Sequence, residues 1–341
     1  MWQMKAKTKD NIMGYSVYKI FSDLNRKETT NKDFFSVSSL PFTEKHKIGI
    51  SPEGYPMFFI ECSNTGHSLD INLEFISVLF NRTCRLSESN SIQSDNIYTI
   101  ISLKTENIDF QQYFLEVVCI VLEQLPENPS HKQLKTEIQK LIELFSRFTR
   151  PSRNTIQGLW AELFIIEQAK YPEYLIQSWH ASPEDKFDFN DGRDKIEVKS
   201  TSQVRRVHSF AIEQLNPNRN SNLLIASVFV IQTGRGKNIF DLKDSICKRV
   251  QNLQLQFRLN EILSQTIGSE FDKVFDVYFD YQQAVDTLTF YDFKDIPTIN
   301  NEHIPSEVSN VRLDCDLSRV ISIKDKQFDT TQSPLFRSIQ I

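Results

Sequence analysis

The sequence is short of glycine, of long apolar runs and of positive charge, and each shortage excludes something. Nine glycines in 341 residues leave no glycine-rich linker. The one basic glycine motif, Gly234-Arg235-Gly236-Lys237, has the wrong length and spacing for a P-loop, so no ATP site is expected. The longest apolar runs, such as Leu223 to Ile231, are too short to span a bilayer, and the start MWQMKAKTKD has no apolar leader core. A net charge of -5 offers no global attraction to a polyanion, so any nucleic-acid binding must use a local basic face or a partner subunit. The cysteines Cys62, Cys84, Cys119, Cys247 and Cys315 form no CxxC pair and no even framework, which excludes a local zinc cluster and a disulfide scaffold. Together these features predict a cytoplasmic protein with no membrane partner.

What is present is ordinary globular material, with 40% apolar residues, 24% charged residues and 26 phenylalanines for core volume. The length suits two or three units. Up to about residue 126 short β-like runs (Tyr55 to Cys62, Ile71 to Phe80, Ile97 to Leu103) precede an apolar helical segment, Tyr113 to Leu125. Helical spacing follows over Leu134 to Phe148, and again at Ile156, Leu159, Trp160, Leu163 and Phe164. Next come the turn NDGR, the strand DKIEVKS, the β-like runs RVHSFAI and NLLIASVFVI, and a long helical stretch from about Asp241 to Leu263. KVFDVYFDY and TLTFYDF read as further strands. The expected division is an N-terminal α+β module over 1–149, a core over 150–270 and a β-rich extension over 271–341.

The stretch DGRDKIEVKST, residues 191 to 201, carries the chemistry. Alternation along a strand puts Lys195, Glu197 and Lys199 on one face and Ile196 and Val198 on the other. Asp191-Gly192 is a strong hairpin signal. Closed there, the hairpin sets Phe189 opposite Asp194 and Asp188 opposite Lys195. Asp188 then lies diagonal to Glu197 on one face, with Cβ atoms about 7 Å apart or less. Two carboxylates so placed repel unless a cation lies between them, and oxygen donors suit Mg²⁺. Lys199, one pleat further, is placed to orient or deprotonate a water and to offset charge on a phosphorus centre. Metal plus lysine is apparatus for phosphodiester hydrolysis.

An acid on one strand and acid-x-lysine on the next, here Asp188 and Glu197-Val198-Lys199, resembles the signature of the PD-(D/E)XK nuclease superfamily. GLWAELF, with Glu162, resembles the leading helix of restriction-endonuclease-like folds, whose glutamate helps hold metal. HSFAIEQL, with Gln214, resembles the glutamine that follows the third strand in several branches. Residues 150 to 270 are similar to a bacterial family of PD-(D/E)XK members. The one departure from the motif is Phe187 where the signature has proline.

The resemblance implies a restriction-endonuclease-like α/β core, with a mixed central sheet flanked by helices, beside the N-terminal α+β module. It implies a DNA endonuclease using Mg²⁺, which Mn²⁺ can replace, held by Asp188, Glu197, Glu162 and the carbonyl of Val198, with Lys199 and Gln214 as further catalytic groups. Relatives lie in operons with ATPases, helicases and DNA methyltransferases, which implies a restriction or anti-phage role with such partners. Double-strand cutting implies a homodimer. The alternatives are a non-catalytic DNA-binding or scaffolding subunit and a repair or junction nuclease.

Other residues compete for roles. Glu184-Asp185-Lys186, Asp241-Leu242-Lys243 and Asp292-Phe293-Lys294 repeat acid-x-lysine without a preceding hairpin. Glu167 lies nearer the middle of its helix's apolar arc than Glu162 and rivals it. Arg205, Arg206 and His208, with Arg193 and Lys195 nearby, are candidates to meet a DNA backbone, and the bland alternative is a soluble loop and a structural histidine.

Overall fold

The computed structural model describes residues 12–25, 34–89, 91–92, 95–151, 155–180, 185–217, 221–299, 304–326 and 333–339. The chain divides into two compact units: residues 1–151 with 268–272, and residues 152–267 with 273–341.

The first unit is α+β. After helix α1 (Ile12–Asn25) come β1 (Phe35–Leu40), β2 (Thr43–Ile50), β3 (Pro56–Ile60), β4 (Ile71–Asn72), β5 (Ile76–Cys84), β6 (Leu86–Glu88), β7 (Ser91–Ile92) and β8 (Asn96–Leu103). They form one sheet in the order β4-β5-β8-β3-β2-β1-β6-β7, antiparallel except for β1 beside β6. Helices α2 (Ile108–Gln124) and α3 (His131–Ser146) complete the unit. Each starts on a side-chain cap that satisfies an otherwise orphaned amide: Asn107 accepts from Phe110 N, and Ser130 from Gln133 N. Phe110, Tyr113, Phe145, Phe148 and Phe271 interlock by their rings, which is where much of the aromatic content goes.

The second unit begins with α4 (Ile156–Gln168), capped by Thr155, and α5 (Pro172–Ser178). Its main sheet has the order β15-β12-β10-β9, from β9 (Phe189–Asn190), β10 (Asp194–Thr201), β12 (Asn222–Phe229) and β15 (Thr289–Asp292). β10 and β12 are parallel along their full length, with Glu197 beside Ile225, while β9 and β15 are antiparallel edges. The largely apolar run of β12, broken by Ser227, fits a strand covered on both faces. Helices α6 (Ile239–Arg249) and α7 (Leu253–Ile267) follow, and α4 packs on both β10 and α6. The sequence read this region as one helical stretch. The break comes at Val250, whose extended backbone ends α6.

β11 (Val207–Ala211), the β-like run RVHSFAI, pairs with β16 (Arg312–Asp316) as a separate two-stranded ladder. On the side away from β10, β12 pairs with β15 from the tail. KVFDVYFDY, read as a strand, yields only β14 (Tyr278–Phe279), paired with β13 (Gln232–Thr233), before the short helix α8 (Tyr281–Thr287). Asp280 caps that helix by accepting from Gln283 N, so a local capping preference overrides the alternation. Among the described residues no helix is long and apolar enough to cross a membrane.

Candidate metal-binding and active site

The hairpin between β9 and β10 turns one residue later than the dipeptide signal indicated. Gly192 and Arg193 form the loop: Asp191 N donates to Asp194 O at 3.2 Å, Asn190 pairs with Lys195, and Phe189 pairs with Ile196. Gly192 takes a φ of 93°, which a glycine at the first loop position supplies without strain. Asp191 also spends its side chain here, accepting from Arg193 N and Asp194 N. The register therefore differs by two residues from the expected one. The ladder ends at the Phe189–Ile196 pair, so Asp188 lies just beyond it.

Beyond Phe189 the chain leaves the ladder, and the carboxylate of Asp188 takes over as acceptor: its Oδ2 receives the Val198 N–H at 2.7 Å. The N–H and C=O of a strand residue point the same way, so the Val198 carbonyl also faces this edge. On the other side the Asp188 carbonyl accepts from His180 N at 2.9 Å, and Trp179 bridges to Phe189. The segment after α5 thus runs alongside β9.

Glu162, near the middle of α4, is buried and needs partners. Its Oε2 accepts from Trp179 Nε1 at 2.7 Å and lies 2.9 Å from His180 Nε2. Ligand atoms of Glu162, His180 and Asp188 all lie within 4.8 Å of one another.

The polar face of β10 is not solvated. Lys195 and Glu197 sit level with Leu223 and Ile225 of β12, and that side is covered by a core including Phe187, Phe210, Leu215 and Tyr291. Glu197 is only 3% exposed. Its Oε1 is 2.8 Å from Lys199 Nζ and accepts from Gln214 Nε2, while its Oε2 is buried with no hydrogen-bond partner among the described residues. Gln214 ties the group together, since its Oε1 accepts from Lys199 Nζ at 3.1 Å and from Ala211 N at 3.0 Å. The short turn Ile212–Gln214 after β11 delivers it. Lys199 also lies over the Phe210 ring at 5.1 Å.

Burial raises the Asp188 carboxyl well above the ordinary aspartate range, and the nearby charges of Glu197 and Glu162 push it further. Burial raises Glu197 too, against the pull of Lys199. For His180, hydrogen bonding and attraction to Glu162 outweigh burial, and its pKa is raised. The crowding of acids and the unpartnered Glu197 Oε2 fit a divalent cation, which would offset the repulsion and supply the missing partner. Among the described residues, Glu162, His180 and Asp188 are the group whose ligand atoms lie close enough together to share such an ion.

Other candidates fall elsewhere. Arg205 is exposed. Arg206 is committed inward: Nη1 donates to Ser227 O and Oγ at 3.0 and 2.8 Å, Nη2 to Thr287 O, and the guanidinium lies over Phe229. His208 is 3% exposed, with Nε2 2.8 Å from Ser227 Oγ, and burial with the charges of Lys199 and Arg206 lowers its pKa to about 4. The expected phosphate contact is thus corrected for Arg206 and His208, whose polar atoms are used inside the unit. Lys195 is likewise buried, donating to Ser221 Oγ at 2.8 Å. Glu167 serves a different network, accepting from Ser245 Oγ, Tyr281 OH and Lys237 Nζ. Asp292, the rival acid-x-lysine, caps a short turn by accepting from Lys294 N. Glu184 lies outside the described residues. His180 carried no sequence signal, because nothing in its neighbours announces a site.

The mixed sheet flanked by helices, with an acid at one strand edge and acid-x-lysine on the next, defines a restriction-endonuclease-like α/β protein. The chain belongs to the family described as "Putative PD-(D/E)XK family member (DUF4420)", which it matches over residues 17–318. The match includes most of the first unit as well as the hairpin, a wider span than the motifs alone cover. Membership places the chain among nuclease-like proteins, whose superfamily typically uses divalent metals. No curated protein and no solved structure matches it.

Proposed function

We propose that the protein is a divalent-metal-dependent endonuclease that hydrolyses phosphodiester bonds of DNA in the cytoplasm, within a restriction or anti-phage system. The observation that carries this reading is the convergence of Asp188, Glu197, Lys199 and Gln214 at one sheet edge, with an acid oxygen in the interior that has no partner among the described residues. Asp188, Glu197, Glu162 and the Val198 carbonyl would hold Mg²⁺, which Mn²⁺ can replace. When bound, such an ion lowers the pKa of water and offsets charge on phosphoryl oxygens.

The chain's own residues do the rest. Lys199 Nζ, held as an ammonium by Glu197 Oε1 and Gln214 Oε1, orients a water by donating to it and offsets negative charge developing on the phosphoryl oxygens. Gln214 keeps the ammonium and carboxylate in register, donating to one and accepting from the other. Phe187 and Phe210 exclude bulk water from that face, which strengthens each charge interaction. Arg205 and Arg193 are exposed cations that would meet the DNA backbone. Partners of the ATPase, helicase or methyltransferase classes, and pairing of two copies, complete the proposal for double-strand cutting.

The test is cleavage of plasmid with Mg²⁺ or Mn²⁺ by the full chain and by Lys199→Ala. Metal-dependent nicking is expected from the first and at least about 10²-fold less from the second, with unchanged folding by circular dichroism. Nicking that survives in Lys199→Ala overturns the assignment. Binding without cutting, alone and with operon neighbours, favours a scaffolding subunit.

A further inference from the structure

The residue the motif did not supply is His180, and its position is unusually constrained. It takes a φ of 42°, a left-handed conformation that histidine enters more readily than most side chains. The surrounding structure holds it there. Arg258 of α7 donates to the carbonyls of Ile176, Trp179 and His180, Trp179 bridges to Phe189, and His180 N donates to the Asp188 carbonyl. A guanidinium and a strand edge thus fix a backbone that would otherwise relax. The result is an imidazole nitrogen aimed at Glu162 Oε2.

The spacing is that of neighbouring ligands. Two donors about 2.0–2.1 Å from one ion and at right angles stand about 2.9 Å apart, and His180 Nε2 and Glu162 Oε2 are 2.9 Å apart. Asp188 completes the set within 4.8 Å. A further buried acid belongs to the same unit: Glu197 Oε2 has no hydrogen-bond partner among the described residues.

We propose that Glu162, His180 and Asp188 form a mixed nitrogen–oxygen site in which the His180 imidazole is a direct ligand to a first-row transition-metal dication. This rests on the metal-dependent reading above and deepens it, because it changes the order of preference. Carboxylates and water serve Mg²⁺ and Mn²⁺ alike, whereas an imidazole favours the transition metal. Coordination needs the neutral ring with its proton on Nδ1, so the ion displaces whatever proton Nε2 holds towards Glu162 in the metal-free protein.

The full chain is titrated calorimetrically with Mn²⁺ and with Mg²⁺, and the Mn²⁺ form is examined by pulsed electron paramagnetic resonance for coupling to nitrogen-14. The expected result is Mn²⁺ binding at least about tenfold tighter than Mg²⁺, with a nitrogen coupling, both lost in His180→Asn. Asparagine tolerates the left-handed backbone, and His180→Gly repeats the test without a side chain. The coupling in the unmodified protein stands even where a variant fails to fold. Binding of both ions with equal affinity and no nitrogen coupling, or a coupling that persists in His180→Asn, overturns this inference and leaves the nuclease reading standing. If neither ion binds, both fall.

Discussion

Asp188 Oδ2 accepts the main-chain N–H of Val198 at 2.7 Å, so the first acid of the motif is fastened to the strand that carries the second. A backbone hydrogen bond thus helps to fix its position. The bond also brings a carboxylate into a buried setting among other acids, which raises its pKa.

Asp188→Asn keeps an acceptor for Val198 N–H and removes one of the crowded charges. In metal-free protein this substitution is expected to stabilise by on the order of 1 kcal/mol, about 2–4 °C in thermal midpoint. The stabilisation that divalent ions give the unmodified protein should disappear. Differential scanning calorimetry with and without Mn²⁺ checks both arms, and a variant that melts lower without metal and still responds to it contradicts the assignment.

His208 should make stability fall with acid. Its folded-state pKa of about 4 lies below the ordinary value of 6.5, so between these limits the unfolded chain binds more protons. The contribution is fully present above about pH 6.5 and is lost as pH falls towards 4, a swing on the order of 2–3 kcal/mol. The geometry agrees: Arg206 already donates to Ser227 Oγ, leaving that hydroxyl to donate to an unprotonated Nε2. Urea midpoints at pH 7 and pH 5 should separate less in His208→Gln. An equal separation in both proteins would assign the acid sensitivity elsewhere, His46 being the first alternative because burial lowers it to about 4 as well.

Arg206→Ala and Arg205→Ala should behave oppositely. Removing Arg206 leaves Ser227 O and Thr287 O without their donor and costs about 1–3 kcal/mol, while its effect on DNA affinity should be indirect. Removing exposed Arg205 should leave melting unchanged within about 0.5 kcal/mol. If Arg205 meets phosphate, its loss lowers the salt dependence of DNA binding by about one contact. Fluorescence anisotropy across a salt series, beside a melt, separates the two.

Gly192→Ala should weaken the hairpin although nothing lies within 4 Å of the added methyl. The cost comes from the backbone, because a φ of 93° suits glycine, and it amounts to about 1 kcal/mol. Gly192→Asn should cost less. Equal stability of all three proteins would show that the turn adopts another conformation in solution.

Much of the site could be read from one dimension. Alternation put Glu197 and Lys199 on a single face, where they meet as an ion pair, whereas the expected place of Asp188 rested on a register that the ladder shifts by two residues. The helix of Glu162 and the turn of Gln214 were likewise legible as local patterns. The fate of the polar face was not: Lys195 and Glu197 look solvated along the chain, yet Phe187, Phe210 and Tyr291 cover them from segments about twenty to a hundred residues apart.

By itself the sequence determined the alternation of charged and apolar residues in β10, the glycine turn before it, the capped helix before that and the membership of a PD-(D/E)XK family. All are decided within a few neighbouring residues by backbone periodicity and capping. Only the tertiary structure decided that β15 from the tail lies beside β12, that β11 pairs with β16, that Arg206 and His208 turn inward on Ser227, and that His180 stands next to Glu162. These depend on which distant surfaces exclude water from one another and which buried polar atoms find a partner, and no local pattern encodes either.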